Sequence, residues 1–131
     1  MKNIKFVYLY RDGGNYKSWA NVVFSNPDEM TPSAVTFGLQ RTFMQDGLFI
    51  AHQIRLPEVQ FYCNGDLTTD DHCFHEFDSV EPTVDPPNDR VGRSISEFLN
   101  EVAREAQVGW RAFDPYDRLH RGGDVSHVGP A

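Results

Sequence analysis

The chain has 131 residues, 40% of them hydrophobic, with 10 Phe, 5 Tyr and 2 Trp, which is enough for one domain to bury a full core without metal or disulfide support. Its net charge is −7, but the acidity is local: Leu56 to Asp89 holds Glu58, Asp66, Asp70, Asp71, Glu76, Asp78, Glu81, Asp85 and Asp89 with no Lys or Arg, and the rest of the chain is slightly basic. Such an acidic stretch repels phosphate backbones, so direct nucleic-acid binding is disfavoured, while a basic protein surface or a divalent cation becomes a better partner.

Phe6, Tyr8 and Tyr10 alternate with Val7 and Leu9, which predicts a strand from Ile4 to Tyr10. Asp12-Gly13-Gly14-Asn15 is turn chemistry, and Tyr16 to Phe24 resumes an aromatic and β-branched run, so the start of the chain reads as a β-hairpin. Asn26-Pro27 breaks the second strand. Thr31-Pro32 then supplies an N-cap and a proline at the first helical position, opening a helix from Pro32 to Met44 with Val35, Phe37, Leu39 and Phe43 as its apolar stripe and Gly47 as its stop.

From Leu48 to Leu56 the period returns to two, which predicts a third strand ending at Pro57, with His52 as a core histidine. Val59, Phe61 and Cys63 allow a short further strand before the Asn64-Gly65-Asp66 turn. Another strand is expected from His72 to Val80. The three prolines between Glu81 and Asp89 predict a connecting loop. Ser94-Ile95-Ser96-Glu97 is a capping box, and Ile95, Phe98, Leu99, Val102 and Ala106 form the stripe of a second helix closed by Gly109.

The resulting order, β-β-α-β-(β)-β-α, defines an α+β two-layer sandwich, with an antiparallel sheet of four to five strands and both helices on one face. Residues 1–110 form the domain, and 111–131 an extended tail that carries too little apolar area after Gly122 to be held in place. Cys63 and Cys73 lack redox or zinc-knuckle spacing and read as reduced thiols. The N-terminus has no apolar run long enough for a signal or a membrane span. A cytoplasmic location and no membrane association are therefore expected.

Asp70-Asp71-His72-Cys73-Phe74-His75-Glu76-Phe77 is the densest concentration of chemistry in the chain. His72 and His75 are the candidate metal ligands, for zinc or manganese, with Asp70, Asp71 and Glu76 beside them. In a regular strand, however, positions i and i+3 point to opposite faces, so a bulge or turn would be needed to converge them. Arg11 at the hairpin tip is either an anion-binding group or a partner of the acidic segment. No phosphate-cradling glycine loop, nucleophile elbow or helical zinc-protease motif occurs, which turns the reading away from an enzyme.

Tyr10-Arg11-Asp12 with Asn15-Tyr16, Phe24 with Asn26-Pro27, and Asp70-Asp71-His72 with His75-Glu76-Phe77 together resemble a group of small uncharacterised bacterial proteins, over roughly Ile4 to Trp110. That resemblance implies a bacterial setting and no particular activity. The leading expectation is a small interaction or regulatory protein without a cofactor, binding a partner with a basic surface through Arg11, Asp66, Asp70, Asp71, Glu76 and Asp78. Its sharpest version is an inhibitor imitating nucleic-acid charge. The alternatives are a metal-dependent hydrolase built on the Asp70–Glu76 cluster and a small-ligand binder on an open sheet face lined by Phe6, Tyr8 and Tyr10.

Overall fold

A computed structural model describes residues 2–59 and 71–118. Strand β1 (Asn3–Arg11) pairs antiparallel with β2 (Lys17–Phe24), from Ile4 opposite Phe24 to Arg11 opposite Lys17. The hairpin closes through its side chains: Asp12 Oδ1 accepts the Tyr16 N–H at 2.9 Å, and Asn15 takes the left-handed conformation at φ 69° that asparagine tolerates. Ile4, Phe6, Tyr8 and Tyr10 are all buried on the core face. They are therefore not a binding platform, which removes the expected role of these three aromatics in an open sheet face.

Helix α1 (Pro32–Gln40) starts as expected, with Thr31 Oγ1 accepting the Ala34 N–H. It ends four residues earlier than the periodicity predicts, because the Thr42 hydroxyl donates to the Gly38 and Leu39 carbonyls and turns the chain. Val35 and Leu39 face the core, Phe43 enters it from the turn, and Phe37 is instead 61% exposed.

The expected strand from Leu48 to Leu56 is cut to β3 (Leu48–Phe49) and followed by a 3-10 turn, Ala51–Ile54, that ends with Arg55 left-handed at φ 59°. Ile50, Ala51, Gln53, Ile54 and Leu56 are buried, a spacing nearer three than two, and His52 points outward rather than into the core. Strand β4 (His75–Thr83) begins and ends three residues later than expected. Pro82 fits because it pairs with Ile4 on one side only: β3 meets β4 just at His75 and Glu76, so at Pro82 the strand has an open edge where no N–H is needed.

The sheet order is β2-β1-β4-β3, all antiparallel, and α1 and α2 (Ile95–Val108) cover one face. The α+β two-layer expectation is met with four strands; residues 60–63 of the optional extra strand lie outside the described residues. Phe6 is the hub, its ring 5.4 to 6.3 Å from those of Tyr8, Phe43, Phe49, Phe77 and Phe98. The Ser94–Glu97 capping box is present in both directions and sets the register that buries Ile95, Phe98 and Val102.

Past α2 the chain remains tied to the domain. Trp110 Nε1 donates to the Thr42 carbonyl, the Arg111 N–H to Gln53 Oε1, and the Phe113 N–H to Cys73 Sγ. Arg118 grips Glu58 with two hydrogen bonds of 2.8 and 2.9 Å, so anchoring extends eight residues beyond the expected boundary at 110. The stretch from Gly122 lies outside the described residues.

Candidate functional site

The histidine motif sits where β4 begins, against the buried end of β1. His75 is fully buried, and its Nε2 accepts the Val59 N–H at 2.9 Å. Burial lowers its pKa to about 4, so the ring is neutral and carries its proton on Nδ1, which has no hydrogen-bond partner among the described residues. His72 lies just outside the strand. Its Nε2 is 2.6 Å from the Arg11 carbonyl, which makes that nitrogen the donor, and its Nδ1 accepts the Phe74 N–H. Tyr10 joins the two rings, with centroids 4.9 Å from His72 and 5.7 Å from His75, while its hydroxyl donates to Asp71 and accepts the His72 N–H.

This arrangement has a chemical consequence. A neutral imidazole has one lone pair for a metal, and here the lone pairs of both rings already accept backbone N–H groups. Among the described residues no group of three or more His, Cys, Asp or Glu side chains is placed to hold a metal ion. Asp66 and Asp70, two further members of the expected set, lie outside the described residues.

The expected partner-binding residues divide by what surrounds them. Arg11 and Glu76, on adjacent strands, meet each other: Arg11 Nε and Nη2 reach the Glu76 carboxylate at 3.2 and 3.0 Å, and Arg11 Nη1 holds Asn15. The hydrogen bond and charge of Glu76 raise the Arg11 pKa further. Glu58 is neutralised by Arg118, with His52 Nδ1 at 3.4 Å; burial alone would raise its pKa, yet these hydrogen bonds and the Arg118 charge bring it down to about 2. Glu81 pairs with Lys5, and Asp89 with Arg93. Among the described residues Asp78 keeps only the Ser79 hydroxyl, and Asp85 has no basic partner.

Asp78 owes its position to an irregularity. Val7 pairs with Ser79 and Tyr8 with Phe77, so Asp78 is the extra residue of a β-bulge. Across from it the chain makes a second irregular turn, Gln45–Gly47, with Asp46 left-handed at φ 64° and Gly47 at φ 76°. A Cβ on Gly47 would lie 3.4 Å from the Phe77 Cβ, so glycine allows both the turn and its close approach to β4. Between the two irregularities lies a cleft of about 450 Å³. Phe43, Met44 and Phe77 supply its apolar lining, Gln40 and Gln45 its amides, and Asp46 and Asp78 its charge, with no basic residue.

Sequence reasoning singled out Asp78 but missed Asp46, whose Asp-Gly pair reads equally well as a helix stop. A second cleft of about 330 Å³ is lined by Arg55, Arg93 and Glu101, which pair with one another, and by Glu97 and Arg104. No protein-family model, curated protein or solved structure matches the chain. Function therefore has to be argued from the site.

Proposed function

We propose that the chain is an interaction module that takes a basic side chain of a partner protein into the Asp46–Asp78 cleft. The observation that carries this reading is a pair of carboxylates without basic partners among the described residues, at a cleft lined by two aromatic rings and a thioether. A lysine or arginine is amphipathic in the matching way: its stem lies on apolar surface, and its cation is attracted both by carboxylates and by aromatic faces. Gln40 and Gln45 add carbonyl acceptors for the remaining N–H groups.

Binding a basic partner through an acidic surface thus keeps its support, narrowed from a long segment to one cleft. Imitation of nucleic acid loses support, since four carboxylates of the segment have basic partners inside the fold. The buried free thiol of Cys73 accords with a reducing cytoplasm. No helix among the described residues is long and apolar enough to cross a membrane.

The test is an NMR titration with a short arginine- and lysine-containing peptide. Shifts concentrated at Gly47, Phe77 and Asp78, abolished by Asp46→Asn with Asp78→Asn and weakened by salt, are expected. Unchanged spectra, or shifts confined to another face, would overturn the reading.

A further inference from the structure

The outer edge of β2 is open over a short, defined length. Val23 directs both main-chain groups away from β1, with its N–H bound by Asn88 Oδ1 and its carbonyl by the Asn88 N–H. Asp12 N–H donates to Tyr16 O across the hairpin, in step with that alternation. Lys17, Trp19 and Asn21 therefore also turn their N–H and C=O groups outward, where they meet no partner among the described residues. The hairpin turn bounds this stretch at one end and Asn88 bounds it at the other. Trp19 stands at its middle and is 55% exposed.

We infer that this edge pairs with the same edge of a second copy of the chain, antiparallel and centred on Trp19, to give a continuous eight-stranded sheet. An edge of this kind is a template for another strand, and a lysine on it is the usual guard against pairing. In the centred register the guard does not act. Lys17 faces Asn21 of the second copy, Trp19 faces Trp19, and no like charges stand opposite each other. Lys17 also arrives at the strand end where the other copy places the neutral Asn88. The outward groups of residues 17, 19 and 21 then form about six intermolecular hydrogen bonds, as alternate pairs do in any antiparallel ladder. Five paired residues bury little area, so the dimer is weak and concentration-dependent.

Sedimentation up to about 1 mM, the weak end of the affinity scale, tests this together with amide exchange. The weight-average mass should rise toward twice the monomer, and the N–H groups of Lys17, Trp19 and Asn21 should gain protection with concentration, while those of Ser18 and Ala20, already bonded to β1, should not change. Asn21→Glu should tighten the dimer by pairing with Lys17, and Asn21→Lys should weaken it. Both substitutions are at an exposed strand position and leave the fold intact. A chain that stays monomeric, dimerises with no protection at these three amides, or responds equally to Asn21→Glu and Asn21→Lys would overturn the proposal; the monomeric outcome would leave the edge to an extended segment of another protein.

Discussion

Two ends of the molecule use the same residue types to opposite effect. Beside α2, the side chains of Asp89 and Glu101 are buried, and Arg93 between them spends its guanidinium on Asp89, Glu101 and the Ile54 and Arg55 carbonyls, lying against the stacked rings of Phe24 and Phe98. Beside β3 and β4, Asp46 and Asp78 line a cleft that has no basic residue in its lining among the described residues. The first end has converted its charges into architecture, tying the loop after β4 to the second helix. The second leaves its two carboxylates without a basic partner among the described residues. Local acidity in a sequence therefore does not identify a binding surface; what matters is whether the fold brings a basic group within reach of each carboxylate.

The comparison is broken most easily at its structural end. Arg93→Ala leaves the Asp89 carboxylate without its cation and frees the Ile54 and Arg55 carbonyls, although Glu101 keeps Arg55, and should cost about 3–5 kcal/mol in urea unfolding. A loss under about 1 kcal/mol would mean that the network is ornamental, and the contrast with the cleft would fail.

The buried histidine offers the next largest effect, through pH. Its folded pKa of about 4 lies below the ordinary 6.5, so between those values the unfolded chain takes up a proton that the fold refuses. Stability should thus fall as pH drops from about 6.5 to 4, by about 3 kcal/mol in all, and fall no further on this account below 4. Protonation would also deprive Val59 of its acceptor. Glu58, held at about 2, stays charged in the fold through this window and begins to contribute its own loss as pH nears the ordinary glutamate value of 4.5, at the window's acid end. Repeating the unfolding series with His75→Gln, which offers an acceptor and does not titrate, should flatten the slope between pH 6.5 and 4.

Gly47→Ala should cost roughly 1–3 kcal/mol, because alanine at φ 76° is strained and its methyl would press on Phe77. It should also displace Asp46 and weaken peptide binding, unlike any substitution at the Arg93 end.

How much of this was legible in the sequence depends on the range of the interactions involved. The hairpin, the Thr31-Pro32 start of α1 and the Ser94–Glu97 box are specified by residues within four positions of one another, and they stand where periodicity placed them. Helix α1 was overextended because Phe43 continues the stripe while Thr42 quietly ends the helix. The stretch after Phe49 misled because buried residues in a 3-10 turn overlap a period of two. Pro82 looked like a loop residue, since nothing in the local sequence tells that its side of β4 is an edge. The candidate cleft was harder still: Asp78 and Asp46 lie far apart in the chain, and a one-residue bulge leaves no compositional mark. A pairing of Arg11 with the acidic segment is one alternative the sequence offers, but only the β1–β4 register singles out Glu76 as its partner.

The smallest stability effect is the one that most sharpens the contrast. Asp46→Asn with Asp78→Asn should change unfolding free energy by less than about 0.5 kcal/mol, as surface substitutions away from structural pairs usually do. Asparagine suits the left-handed turn at position 46, so strain does not confound the result. Where two carboxylates share a cleft without a cation, removing their charges relieves mutual repulsion, so the sign should be slightly stabilising and should fade as salt screens the pair. Asp89→Asn, which takes the charge from a buried partner of Arg93, should move stability in the opposite direction and by more. If both carboxylate sets destabilised alike, Asp46 and Asp78 would be structural too, and the cleft would lose its claim as the binding site. A near-neutral stability change joined to loss of peptide binding is the result that separates charge kept for a partner from charge used by the fold.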